Sequence, residues 1–155
     1  MPTKVHTALM QSPIGSLAIS CTDAGVTAVQ FVEEGAKSST GEHPHLSACI
    51  GQLTEYFDGK RKKFESLTLH YASTDFQRDV WETLLDVPFG ENVTYAELAK
   101  AAGHNGAARA VGTAMRLNPL CIIVPCHRVV PESGGIGEYA GGEWRKEWLL
   151  THEKR

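Results

Sequence analysis

An α+β fold in two parts is predicted by three observations. The first third of the chain alternates apolar and polar residues in short runs separated by turn residues, the pattern of a small antiparallel sheet. From Phe76 onward the apolar positions recur at helical spacing instead. Between the two, Ser73-Thr74-Asp75 offers side-chain oxygens that can cap the first free amides of a helix, so domains are expected at 1–72 and 73–155.

Residues 7–11, 16–22 and 26–32, joined by turns at Ser12-Pro13-Ile14-Gly15 and Asp23-Ala24-Gly25, predict a three-stranded meander. Residues 33–43 read as a polar connection. Pro44 then opens a helix with Leu46, Ile50, Leu53 and Phe57 on one face, stopped by Asp58-Gly59-Lys60, and 64–71 is short and β-like. In the second part Phe76, Val80, Leu84 and Leu85 mark a helix that Pro88-Phe89-Gly90 ends. Thr94 and Glu97 form a capping box that opens a short helix running to about Ala102 and halting at Gly103. Another helix is expected over 105–116, broken by Asn118-Pro119; the pair has the outline of a helix-turn-helix. An apolar strand over 120–124, the run Pro125-Cys126-His127-Arg128-Val129, a glycine-rich loop over 131–142 and a last helix over 144–153 complete the chain.

With 155 residues, 42% of them hydrophobic, the chain can bury a real core without staples. Cys21, Cys49, Cys121 and Cys126 form no Cys-x-x-Cys pair and no regular framework, which fits free thiols in a reducing compartment. No apolar run is long enough to cross a bilayer, and the opening residues lack the order of a secretion signal. A cytoplasmic protein is expected, or a nuclear one in a eukaryote. The formal net charge of -3 speaks against nucleic-acid binding through bulk positive charge. Residues 98–131, however, contain no Asp or Glu while holding Lys100, Arg109, Arg116 and Arg128, which is either a locally basic surface or chance spacing.

The second helix of the pair is built from Ala107, Ala108, Ala110, Gly112, Thr113 and Ala114, with almost no side-chain bulk. Two explanations stand: close packing inside the fold, or close approach of the helix backbone to a partner. Arg109 and Arg116, seven apart and so on about one face, favour a partner carrying phosphates. An adjacent cysteine and histidine are by themselves compatible with simple packing. As chemistry, a thiol with an ordinary pKa of about 8.5 needs a base to become a nucleophile. His127 can be that base, and Glu153 the carboxylate that holds it.

Pro125-Cys126-His127-Arg128-Val129 resembles the active-site motif of the O6-alkylguanine-DNA alkyltransferase family. So do Thr94-Tyr95, Ala107 to Gly112, Ala114-Met115-Arg116, Asn118-Pro119, Gly134, Gly137, Tyr139, Gly141-Gly142 and the tail from Lys146 to Glu153, all in the family's order. The resemblance covers roughly half the chain, from about Phe76 to the end. It implies a supporting ribonuclease-H-like first domain and a mostly helical, winged-helix-like second domain. The function it implies is single-turnover transfer of a methyl or other alkyl group from O6-alkylguanine in double-stranded DNA to Cys126. O4-alkylthymine is left open as a second substrate.

The same resemblance implies a Cys126, water, His127, Glu153 relay and a nucleotide turned out of the duplex. Arg109 would fill the vacated place, and Tyr95 would crowd the rotated phosphate and hydrogen-bond the base. Ala108, Ala110, Gly112 and Thr113 would lie at the minor groove, with Arg116 on a phosphate. The base would sit among Met115, Asn118, Cys121, Ile136, Gly137 and Tyr139, its edge read by backbone groups of Cys126, Val129 and Ala140. Asn118 reads equally as a support of the turn or as a plain helix end. Ala140 replaces a serine of some relatives and Cys121 a proline, while Glu132 puts a carboxylate near phosphates. Thr22 and Thr27 stand where some members hold zinc, so no metal and no cofactor are expected, and the chain is expected to be a monomer. A non-catalytic DNA-damage sensor and a cysteine hydrolase are the rival readings; the second would need an oxyanion hole and leaves Arg109 and its small-residue helix without a role.

Overall fold

The computed structural model describes residues 4–33 and 42–154, so residues 34–41 of the expected polar connection lie outside the described residues. The chain divides into two compact units, Met1–Ala72 with Pro119–Cys121, and Ser73–Asn118 with Ile122–Arg155.

In the first unit β1 (His6–Ser12), β2 (Gly15–Thr22) and β3 (Gly25–Val32) form the expected antiparallel meander, in that order. Its register pairs Met10 with Leu17 and Ile19 with Val29, with a bulge between Ser20 and Cys21. Alternation along β2 puts Leu17, Ile19 and Cys21 on the buried side. That face is covered by α1 (Pro44–Phe57) through Leu46, Cys49, Leu53 and Tyr56. Pro44 fits the first turn, where its missing N–H would find no helical partner, and the His43 ring caps the helix by accepting from the His45 N–H at 3.1 Å. The β-like segment at 64–71 reduces to one parallel bridge, in which Val26 N–H donates to Thr68 O at 2.8 Å and His70 N–H to Val26 O at 2.9 Å.

The strand expected at 120–124 does not form. Val29 bonds to Pro119 O and to the Cys121 N–H, making a single bridge at Leu120, and the chain then turns through Ile122 at φ 75°. The apolar run reflects complete burial from Leu120 to Val129, and periodicity cannot separate a buried turn from a buried strand. A β-branched residue in the left-handed region costs about 1–3 kcal/mol, and here it lies four residues before Cys126.

The second unit contains α2 (Asp75–Leu85), α3 (Tyr95–Ala101), α4 (Ala108–Arg116) and α5 (Glu143–Glu153). Thr74 caps α2 in a reciprocal box with Gln77, and Thr94 caps α3 with Glu97 as expected. Helix α4 starts at Ala108 rather than near 105, because Gly106 at φ 87° and an uncapped Ala107 precede it. The buried Trp81 indole donates to Ala114 O at 3.1 Å and ties α2 to α4. Two short parallel strands, β4 (Val93–Thr94) and β5 (Val129–Val130), pair Val93 with Val129. Strand β4 runs into α3, and a 3-10 turn at Cys126–Arg128 runs into β5, so this pairing brings the Tyr95 and Cys126 segments side by side. No helix among the described residues is long and apolar enough to cross a membrane.

Candidate active site

Cys126 sits at the start of the 3-10 turn, only 4% exposed, at one wall of a cavity of about 270 Å³. Of the pocket expected from sequence, Met115, Gly137, Tyr139 and Ala140 line this cavity, together with Tyr95, Gly112 and Arg116. Pro131 and Glu138 line it too and were not expected. Cys121, Val129 and Ile136 are not among the lining residues. Cys121 is held in the first unit by its backbone bond to Val29. Val129 is fully buried, with its carbonyl accepting from Lys146 Nζ at 2.6 Å. Asn118 lies behind the cysteine: its amide donates to Val124 O at 2.8 Å and also hydrogen-bonds Cys126. Its bond to Val124 O fits the turn-support reading, while its bond to Cys126, which favours a thiolate, was in neither sequence reading.

His127 and Glu153 come together as expected. His127 Nε2 lies 2.6 Å from Glu153 Oε2, both groups almost without solvent exposure. Arg128 completes the arrangement. Its Nε and Nη2 donate to the two Glu153 oxygens at 2.8 and 3.0 Å, and its Nη1 donates to Val87 O at 2.7 Å. Counting Arg128 with a basic surface was thus wrong: it is 6% exposed and committed to a carboxylate. A guanidinium fits such a bidentate contact because its N–H groups form a rigid fork.

These contacts set the protonation states. Burial works against ionising Glu153, but the hydrogen bonds and charges of His127 and Arg128 outweigh it and hold its carboxyl well below the usual range. Burial pushes His127 down despite Glu153, so the imidazole is neutral at pH 7. An ionised Glu153 can only accept, so Nε2 carries the ring proton and Nδ1 is the free base. That Nδ1 is buried and has no hydrogen-bond partner among the described residues. Burial also raises the Cys126 thiol, opposed by Asn118 and the Lys146 charge. The resting site therefore holds a neutral thiol and a neutral base on consecutive residues, with the charge carried by Arg128, Glu153 and Lys146.

Lys146 was quoted from sequence only within the tail motif. It is fully buried on α5, donates to Val129 O and to Glu138 O at 3.1 Å, and is pushed down by burial to about 8, against the opposing charges of Cys126 and Glu143. A signal was available: Lys146, Leu149, Leu150 and Glu153 follow the i, i+3, i+4, i+7 spacing of one helix face.

Helix α4 turns Val111, Ala114 and Met115 inward, while Arg109, Ala110, Thr113 and Arg116 are exposed and Ala108 is half-buried. A Cβ added at Gly112 would meet only the Tyr95 ring edge at 4.0 Å, an ordinary contact. The fold does not require glycine there, which removes close internal packing as the reason for it. Arg116 donates to Thr113 Oγ1 at 3.1 Å and approaches Glu138 at 4.0 Å across the cavity mouth, whereas Arg109 makes no ion pair among the described residues. At one of the positions where some members hold zinc, the Thr22 hydroxyl accepts from the Ala24 N–H at 3.1 Å.

Comparison with known proteins finds two family models. The DNA-binding domain of 6-O-methylguanine DNA methyltransferase matches residues 75–155, and its ribonuclease-like domain matches residues 5–71. The methylated-DNA--protein-cysteine methyltransferase of Mycobacterium leprae is 40% identical over 154 residues, spanning 97% of this chain and 93% of the relative. The crystal structure of Mycobacterium tuberculosis O6-methylguanine methyltransferase is similar at a TM-score of 0.87 and 41% identity, over 97% and 93% of the two chains. Mycobacterium tuberculosis OGT in complex with DNA is similar at the same TM-score and identity, over 96% and 92%.

Proposed function

The chain belongs to the 6-O-methylguanine DNA methyltransferase family, and from that premise we propose that it repairs DNA by moving an alkyl group from the O6 atom of guanine to Cys126, once per molecule. DNA is its partner, bound through the second unit. The observation that carries the reading is the Arg128–Glu153–His127 chain of contacts ending in a free Nδ1 next in sequence to a cysteine that lines a cavity.

In the proposed reaction the Cys126 proton passes to His127 Nδ1, by way of a water as the family resemblance implies. The imidazolium that forms is stabilised by Glu153, already held in place by Arg128. Asn118 and the Lys146 ammonium stabilise the thiolate. Sulfur then attacks the alkyl carbon, a C–S bond forms, the C–O6 bond breaks, and its electron pair leaves with guanine. Tyr95, on the cavity wall, would hydrogen-bond the departing base. The thioether product is a poor leaving group, which is why the reaction stops after one event.

A base inside a duplex cannot reach a cysteine that is only 4% exposed, so the nucleotide has to turn out. The exposed small-residue face of α4 suits a minor groove, Arg109 suits the vacated stack, and Arg116 suits a phosphate. Met115, Gly137, Tyr139 and Ala140 would enclose the base.

Intact mass after incubation with a duplex containing O6-methylguanine tests the proposal. One added methyl on Cys126, never more than one per molecule, is expected, and Cys126→Ser should bind the duplex without gaining mass. Binding with no added mass in the wild type would make the protein a sensor, and continued processing of a thioester or amide would make it a hydrolase.

A further inference from the structure

Three of the seven histidines gather at one corner of the first unit, and the proposed chemistry uses none of them. His6 opens β1, Asp23 lies in the turn between β2 and β3, and His43 caps α1. The His43 Nε2 is 3.0 Å from Asp23 Oδ1, the His6 and His43 ring centroids are 4.9 Å apart, and one ligand atom from each of the three residues lies within 4.8 Å of the others. His45 stacks on His43 at 5.2 Å and reaches the Asp23 backbone carbonyl at 3.3 Å, which buttresses the group from outside.

We propose that His6, Asp23 and His43 bind one transition-metal dication, with Zn²⁺ the best match, and that the ion fastens β1, the β2–β3 turn and the start of α1 to one another. Two imidazoles and a carboxylate are borderline to hard donors suited to zinc, and three protein ligands leave a position for water. Thr22 and Thr27 take no part, so the site is distinct from the zinc positions that the resemblance pointed to. Tetrahedral bonds of about 2.0–2.1 Å bring ligand atoms to roughly 3.3 Å from one another, so the group must contract on binding. The Asp23 side chain is 96% exposed and able to make that movement.

The His43 cap gives the site a signature. In the metal-free chain Nδ1 accepts from the His45 N–H, so Nε2 carries the proton that faces Asp23. Coordination through Nε2 moves that proton to Nδ1, which then can no longer accept from the His45 amide. Zinc binding therefore exchanges the α1 cap for a metal bond, and the His45 amide should become faster to exchange with solvent while the unit as a whole is stabilised.

The test is titration of the reduced full chain with Zn²⁺ alone against a chromogenic chelator, with melting curves in parallel. One ion per chain and a zinc-dependent rise in melting temperature are expected. His6→Gln and Asp23→Asn should each weaken binding by at least about tenfold and abolish the rise. Neither change removes the capping His43 Nδ1, and Asp23→Asn keeps an oxygen that can accept from His43 Nε2, so unaltered melting without zinc will show that a ligand and not the fold was lost. Co²⁺ in place of zinc should give visible d–d bands without a thiolate charge-transfer band in the near ultraviolet. No uptake, uptake undiminished in both variants, or a thiolate band would each overturn the proposal.

Discussion

Two pairs of cations in the second unit behave in opposite ways. Arg128 and Lys146 are buried and spend their hydrogen bonds on Glu153 and on the carbonyls of Val87, Val129 and Glu138. Arg109 and Arg116 are exposed on α4; among the described residues the first has no ion pair and the second only a 4.0 Å approach to a largely exposed Glu138. The inner pair sets protonation states within the molecule; the outer pair is available to something outside it. A net charge of -3 records neither role, because a formal sum gives a buried guanidinium and an exposed one equal weight.

The contrast breaks most sharply at Arg128. Arg128→Met leaves Glu153 buried with half its compensation gone, and removing one partner of such a pair costs about 3–5 kcal/mol. Chemical denaturation should show that loss, together with a fall in single-turnover transfer. A variant within about 0.5 kcal/mol of wild type would mean that Arg128 belongs with the outer pair after all.

Lys146 sharpens the same side through pH. Its folded pKa of about 8 lies below the ordinary 10.5, so between those values the unfolded chain binds the extra proton and stability rises with pH. The rise is on the order of 3 kcal/mol across the window and should vanish in Lys146→Met. Transfer should show a companion effect: ionisation of Cys126 speeds it as pH rises, and loss of the Lys146 charge near pH 8 works against that gain. A wild-type rate profile without a bend near 8 would remove Lys146 from the thiolate's surroundings.

On the outer side, Arg109→Ala should leave the fold alone and slow repair of a duplex by roughly tenfold, about 1.4 kcal/mol, while the free alkylated base reacts nearly as before. Equal losses on duplex and free base would end the idea that Arg109 acts in extrusion.

How much of this was legible in the sequence divides along the same line. The meander, the Thr94–Glu97 capping box and the helix pair could be read, since alternation, Thr-x-x-Glu and left-handed glycines are local signals. His127 and Glu153 could be named as partners because the tail motif supplied the carboxylate. The turn at Ile122 could not be read, since complete burial erases periodicity and a β-branched residue at φ 75° contradicts its own propensity. Arg128 was misplaced for a related reason: a one-dimensional charge run does not say which cation turns inward. The convergence of His6, Asp23 and His43, from positions far apart in the chain, likewise emerges only when the meander closes on α1.

The smallest predicted effect separates the two sides most cleanly, because it should carry opposite signs on each. Glycine inside a helix costs about 0.5–1 kcal/mol relative to alanine. At Gly112 nothing in the fold requires that cost, since an added methyl would only touch the Tyr95 ring at 4.0 Å. Gly112→Ala should therefore stabilise the free protein by about 0.5–1 kcal/mol and yet weaken duplex binding and repair, if the bare backbone is there for a groove wall to approach. A variant that gains stability and keeps full repair would show that this face of α4 makes no close approach to DNA; one that loses stability would show that the glycine serves the fold.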